Sequence, residues 1–325
     1  MTNRVWFDAR SLSRGYTSGW ERYVRELAKY LPRLIDITLW TPKTNNRLSL
    51  ILSDRNNFRS QNGHKVVHYP TYPPLKINQN LKKIITLHDL TWWNYPETSS
   101  FLGKHYYKKN MEKAIGFADL IIVPSNFIKF ELNKKFSISL EKIHVIPHGN
   151  SLPKGLVNKT NKPYFLSVGT IEPRKNLDFY SKAIEQSALK NKFDFIHVGR
   201  KGWGQMPNNL IRFAAKTDQE LANLISNARA LVIPSKYEGF GLPVLEAHAQ
   251  GIPVIMSDIG ALKELSNKQD LIFKLTDINT FVNSLIRFAT EETRLDPDLI
   301  EEARSYTWLN SAQLHVKTYN GLLYE

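Results

Sequence analysis

The chain has 325 residues, a formal net charge of +14 and no cysteine, which excludes disulfides and thiolate metal sites and fits a reducing compartment. Its length suits two domains of roughly 150 residues each. No run approaches the ~18 apolar residues of a membrane-spanning helix, and the start Met1-Thr-Asn-Arg-Val-Trp-Phe-Asp8 lacks the apolar core of a signal peptide, so a cytoplasmic protein is expected.

Residues 4–8 read as a short strand. Between residues 20 and 31, apolar side chains recur at 20, 23, 24, 27, 28 and 31, a helical stripe that Pro32 stops. Residues 35–40 and 83–88 read as strands, 101–118 as a helix, 120–125 as a strand ending in a turn, 127–136 as a helix and 142–147 as the last strand of this half. Residues 148–163 have the composition of a linker. The pattern then restarts, with strands at 164–168, 193–198, 230–233 and 253–256 and helices between them. Strands alternating with helices mean parallel sheets covered on both faces. Two such α/β domains are expected, with their carboxyl edges facing a central cleft. Residues 1–151 hold 23 Lys and Arg against 11 Asp and Glu, whereas 152–325 hold 21 against 19. That asymmetry suits an anionic partner for the first half, or a solvated lysine-rich surface.

The most informative segment is Glu238-Gly-Phe-Gly-Leu-Pro-Val-Leu-Glu246. It follows the buried-looking strand Ala230-Leu-Val-Ile233 and opens a helix with Pro243 in its first turn. The two glutamates therefore stand at the carboxyl end of a strand and in the next helix's first turn, where open α/β sheets bind ligands. Glycine lets a ligand approach the backbone, and the free N–H groups of a helix start suit a diphosphate. A carboxylate one turn on can accept from ribose hydroxyls. Arg174 and Lys175 follow the first strand of the second half and also stand before a helix, where cations oppose the helix dipole and need another reason to be there. His144 and His148 are four apart, but on a strand and turn with no third ligand, so no metal is expected there. Asp296-Pro-Asp298 reads as a helix start and not as a metal-diphosphate motif.

The string Pro-Ser-x-x-Glu238-Gly-Phe-Gly-Leu-Pro-x-Leu-Glu246-Ala, followed by Gly251-Ile-Pro-Val-Ile, resembles the Glu-x7-Glu signature of the GT4-type retaining glycosyltransferases. The resemblance implies the GT-B fold, with two Rossmann-like doubly wound parallel-sheet domains. An acceptor-side domain would span 1–151, a nucleotide-sugar domain 152–307, and a last helix at about 308–325 would cross back onto the first. It implies that Glu238 contacts hydroxyls of the donor sugar and Glu246 the ribose, while the backbone at Phe240, Gly241 and Leu242 meets the diphosphate. Lys175 would hold the departing diphosphate. The family commonly places an arginine five residues before that lysine, where Thr170 stands here; Arg174 substitutes, as in the Pro-Arg-Lys-Asn subset. His88, in a His-Asp pair closing a strand, would face the reacting sugar. Gly19 would belong to a glycine loop near the diphosphate and acceptor, or merely start a helix. The segment Gly199-Arg-Lys-Gly-Trp-Gly204 either borders the nucleotide base or is an ordinary mobile loop.

The expected activity is retaining transfer of a hexose from a nucleoside-diphosphate sugar, GDP-mannose first and a UDP-sugar second. The acceptor would be a glycan or lipid-linked molecule in surface polysaccharide synthesis. No cofactor or metal is expected, because basic residues neutralise the leaving diphosphate. The basic first half suits peripheral attachment to an anionic membrane surface, on the inner face of the cytoplasmic membrane. Two alternatives remain: a basic nucleic-acid-binding protein without catalysis, for which no helix-turn-helix, zinc or RNP signature appears, and a GT-B sugar phosphorylase, for which no pyridoxal-phosphate lysine segment is found.

Overall fold

The computed structural model describes residues 5–14, 19–42, 61–74, 76, 78–95, 101–158, 162–291 and 294–324. The chain divides into two compact units, residues 1–149 with 307–325 and residues 150–306. In unit 1 the elements are β1 (Val5–Asp8), α1 (Gly19–Tyr30), β2 (Ile37–Trp40), β3 (Val66–Tyr69), β4 (Lys82–Thr86), α2 (Thr91–Asn94), α3 (Phe101–Phe117), β5 (Leu120–Val123), α4 (Asn126–Phe136) and β6 (Ile143–Val145). All strand pairs are parallel, in the order β2-β1-β3-β4-β5-β6. Strands covered on both faces need continuous apolar runs, and β1 (VWFD) and β5 (LIIV) are buried at every position. Helix α4 starts where Ser125 Oγ accepts from Ile128 N and stops at Ser137, which turns left-handed at φ 54° behind Lys134 and Lys135.

Unit 2 holds β7 (Tyr164–Val168), α5 (Leu177–Gln186), β8 (Asp194–Val198), β9 (Ile211–Phe213), α6 (Asp218–Ser226), β10 (Leu231–Ile233), α7 (Leu242–Ala249), β11 (Val254–Ser257), α8 (Gly260–Lys263), β12 (Leu271–Phe273), α9 (Ile278–Thr290) and α10 (Pro297–Ser305). Its parallel sheet runs β12-β11-β10-β7-β8-β9. This is a doubly wound order in which the chain first builds outward from β7 to β9 and then returns to β7's other side with β10. An aromatic core fills one face, with Phe273 and Phe281 stacked at 4.2 Å and Phe165 stacked on Phe195 at 5.7 Å. The chain then returns to unit 1 as α11 (Trp308–Tyr324). Trp308, Ala312, His315, Tyr319 and Leu323 form its buried stripe at helical spacing, and Trp308, Ala312, Tyr319 and Leu323 join the core around Val5, Tyr23 and Leu27.

Strands β3, β9 and β12 go beyond the expected set. The expected linker also differs from its composition, because residues 150–158 are strapped onto α6 and α7. Gly155 N donates to Gln250 Oε1 (2.8 Å), Leu156 N to Asn223 Oδ1 (2.8 Å) and Asn158 N to Asn227 Oδ1 (2.7 Å). Gly155 must be glycine here, since a Cβ would stand 2.0 Å from Ser226 Oγ and 2.4 Å from the Ala222 carbonyl oxygen. Asp296 occupies the N-cap position of α10.

Candidate active site

The strand order of unit 2 reverses between β7 and β10, which lie side by side, and such a reversal opens a crevice at the carboxyl ends. Arg174 and Lys175 follow β7 in a 3-10 turn at Pro173–Lys175, and Glu238 follows β10. The three meet there. Lys175 Nζ donates to Glu238 Oε1 (2.7 Å), Arg174 Nη1 to Glu238 Oε2 (2.8 Å) and to the Tyr237 carbonyl (2.7 Å), and Ser235 Oγ to Glu238 Oε1 (2.6 Å). Arg174 Nη2 reaches Glu172 Oε1 at 2.6 Å, and Lys236 N closes the two loops onto the Arg174 carbonyl at 2.8 Å. Glu238 is buried, which alone would raise its pKa. The charges of Lys175 and Arg174 and the bonds from Lys175 and Ser235 outweigh that and hold the carboxyl at about 2. Buried charge is tolerated because every member is paired.

Helix α7 opens beside this cluster. Its N-cap, Gly241, sits at φ +105°, where a Cβ would stand 2.9 Å from Leu262 Cδ2. No side chain caps the helix start and Pro243 stands in the first turn. Anions suit such an end.

The model for "Glycosyl transferases group 1" matches residues 150–306, and that for "Glycosyltransferase Family 4" matches residues 55–152. The chain is 24% identical over 266 residues to the O-antigen chain mannosyltransferase B of Escherichia coli, covering 73% of this chain and 70% of that one. It is 29% identical over 214 residues to the O-antigen chain mannosyltransferase RfbU of Salmonella typhimurium, covering 62% of this chain and 59%, less than two thirds, of that relative. Among solved structures, sucrose-phosphate synthase from Thermosynechococcus elongatus superposes with a TM-score of 0.80 at 18% identity, over 98% of this chain and 99% of that one. Anabaena HepE in complex with UDP-glucose gives 0.74 at 16% identity, over 98% and 99%. The chain belongs to the GT4-type glycosyltransferases.

In this glycosyltransferase the remaining expected residues are placed as follows. Glu246 is buried in the second turn of α7. The Phe240 ring packs with Leu245, Ala249 and Ala303, and half-buried Leu242 packs on the same cluster, so both can offer a ligand only backbone. His88 lies two residues beyond β4, in unit 1. Its Nε2 donates to the Pro70 carbonyl (2.8 Å), so the neutral ring presents Nδ1 as an acceptor. Burial pushes its pKa down to about 4, against the opposing bond to Pro70 and the Asp89 charge. Trp20 stacks on this ring at 5.7 Å, and the Tyr23 ring meets it edge-on at 4.8 Å. The Asp89 carboxylate accepts from Thr91 N (2.9 Å) at the start of α2. Gly19 opens α1 exposed, with nothing within 4 Å of where a Cβ would stand, so no packing demands glycine there. Thr17 and Ser18 lie outside the described residues.

Residues 199–204 are a paired wall beside the cluster. Ile171 N donates to Arg200 O (3.0 Å) and Gly204 N to Ile171 O (3.0 Å). Sequence reasoning missed Glu172, Ser235 and His197, although Ser235 stands inside the recognised Pro-Ser-x-x-Glu string and Glu172 directly precedes the Pro-Arg-Lys-Asn one. Among the described residues no group of three or more His, Asp or Glu could hold a metal, and no helix is long and apolar enough to cross a membrane.

Proposed function

We propose that the protein moves a hexose from a nucleoside-diphosphate sugar to a glycan or lipid-linked acceptor in surface polysaccharide synthesis, with retention of configuration. GDP-mannose is the first donor choice, on the likeness to the two mannosyltransferases; a UDP-sugar is the second. The observation that carries this reading is the paired cluster of Arg174, Lys175 and Glu238 at the strand-order reversal, beside the uncapped start of α7.

A diphosphate is a stronger counter-ion for Arg174 and Lys175 than one carboxylate. Its binding draws both cations from Glu238 and frees Glu238 Oε1 and Oε2 to accept from sugar hydroxyls. Glu246 holds the ribose. The bond from the anomeric carbon to the phosphate oxygen breaks as the acceptor oxygen bonds to the same face. The departing diphosphate takes the acceptor's proton and leaves with the nucleoside. Lys175 and Arg174 stabilise the charge that builds on it, so transfer persists in excess chelator. His88, as a hydrogen-bond acceptor, lines the reacting centre. Gly19 belongs to the acceptor side, and the basic helices of unit 1 attach it to an anionic membrane surface. A panel of nucleotide sugars tested for protection from thermal unfolding checks the donor. A GDP-sugar should raise the midpoint, and no response to any member would sink the reading.

A further inference from the structure

The loop bearing Arg174 and Lys175 is held in its middle by a bridge between Ile171 and Lys201 and at its end by a 3-10 turn, so the turn at Gly169 depends on what lies behind it. Gly169 begins the loop at φ +147°, and the Lys175 stem lies across it. A Cβ on Gly169 would stand 2.7 Å from Lys175 Cε and 3.1 Å from Nζ. Behind that turn, His197 Nε2 lies 2.9 Å from the Gly169 carbonyl oxygen. A carbonyl only accepts, so Nε2 carries the proton. Nδ1, 2.8 Å from Ser167 Oγ, then accepts from the hydroxyl. Strand register sets this up, since Ser167 and His197 face each other across β7 and β8. Burial pushes the His197 pKa down to about 4, with the bond to Gly169 opposing and the Lys175 and Arg212 charges adding, so the ring is neutral in one tautomer. Gly199 completes the fit, because a Cβ there would stand 1.7 Å from the same Gly169 oxygen.

We propose that His197 is a positioning residue for the donor diphosphate. Through the Gly169 carbonyl it fixes the turn over which Lys175 extends, and so the place of the ammonium beside Glu238. The inference rests on the donor-site reading above. His197 does not touch the diphosphate. Gly169 N stays bonded to Val198 O (2.9 Å) in any case, but without the His197 N–H the Gly169 carbonyl loses the donor that sets its direction, and an ammonium displaced by a fraction of an ångström loses the alignment on which a charged hydrogen bond depends.

Calorimetric affinities for UDP and GDP, and for uridine and guanosine, test this in the wild type, His197→Ala, His197→Gln and Ser167→Ala. His197→Ala should weaken the better-bound diphosphate about five- to tenfold and leave its nucleoside within about twofold. His197→Gln, whose amide nitrogen reaches the same carbonyl, should restore most of the loss. A folded His197→Ala that keeps the wild-type ratio of diphosphate to nucleoside affinity overturns the inference, as does an equal loss on both ligands. Should His197→Ala fail to fold, Ser167→Ala removes only the bond behind the ring and carries the same ratio test. A wild type that binds diphosphates no better than nucleosides would instead sink the donor-site reading itself.

Discussion

Unit 1 buries His68, His88, His148 and His315 as neutral rings, whereas unit 2 buries Glu238 as an ion. The direction of the unit 1 bonds follows from one carbonyl. His315 Nδ1 donates to Ser311 O (2.7 Å), so Nε2 accepts from Tyr23 O–H (2.7 Å), and Tyr23 in turn accepts from Thr86 Oγ–H (3.0 Å). Thr86 then accepts from His68 Nε2–H (2.7 Å), and His68 Nδ1 from Tyr319 O–H (2.7 Å). The chain leaves α11 and returns to it, and each group donates once, so no charge is needed. That arrangement fastens a helix to a sheet. Around Glu238, two cations and a hydroxyl converge on one carboxylate, which leaves strong donors for an anion that outcompetes it. The first pattern is structural, and the second is the one on which the proposed donor site rests.

Acid should separate the two most strongly. A histidine held below its ordinary pKa of 6.5 stabilises the fold fully above pH 6.5, and that contribution is lost as pH falls toward 4. For His88 and His315, each at about 4, protonation costs about 3 kcal/mol apiece, and His68 and His148 act in the same direction. Glu238, held at about 2, contributes above pH 4.5 and loses its share only between 4.5 and 2. In the first window unit 2 feels His197 among its buried histidines. Six of the seven tryptophans belong to unit 1, and the seventh is exposed Trp203. The near-UV tryptophan signal should therefore collapse between pH 6.5 and 4 while much far-UV helix signal survives. Coincident loss of both below pH 4 would mean the histidines are not held neutral.

Within the charged cluster, Lys175→Ala should lower turnover by about 10²-fold or more and donor affinity less, because in the proposed mechanism the ammonium acts on charge that grows as the diphosphate leaves. A loss confined to KM would mark ground-state binding instead. Glu238→Ala should lower turnover by about 10²-fold through misplaced sugar, yet bind free nucleoside diphosphate at least as tightly, since the competing carboxylate is gone. Weaker diphosphate binding in that variant would refute the exchange of counter-ions. Glu246→Ala should lose about 1.5–3 kcal/mol of nucleotide affinity; unchanged affinity in a folded variant would remove it from the ribose.

The alternating strands and helices and the charged loops of unit 2 were readable in the sequence, the histidine network of unit 1 was not, and the unread parts have physical reasons. Buried parallel strands such as β5 announce themselves as apolar runs, but β3 carries His68 within four residues and β9 is an exposed edge of three, so neither has a clear pattern. Lys175 and Glu238 each stood at the carboxyl end of a strand. Their meeting depends on β7 and β10 being neighbours, a tertiary fact. His197 reads as an ordinary strand residue until strand pairing sets it opposite Ser167 and its ring meets the Gly169 carbonyl. The composition of 148–163 suggested a free linker because Gly, Pro and Asn recur there; Gly155 is glycine because its backbone lies against α6.

The smallest expected effect concerns the basic surface of unit 1, where the structure sorts lysines that sequence alone treats alike. Lys108 Nζ sits 4.2 Å over the Trp93 ring, and Lys135 bonds Asn94 and lies 5.9 Å over the same ring, which Phe136 meets edge-on at 5.1 Å. These two are engaged within the unit by cation–π contact. Lys109, Lys113 and Lys134 are exposed, and Phe130, on the same helix as Lys134, is 58% exposed. If unit 1 docks on an anionic membrane, Lys134→Ala should weaken vesicle binding by about 1 kcal/mol, roughly fivefold. Lys108→Ala should change vesicle binding less and thermal stability more. Both vesicle effects should vanish at high salt, where the screening length falls to a few ångströms. Flotation with anionic and neutral vesicles decides it. Equal recovery in both, or none at low salt, would assign the surplus positive charge to an ordinary solvated surface and favour a soluble acceptor.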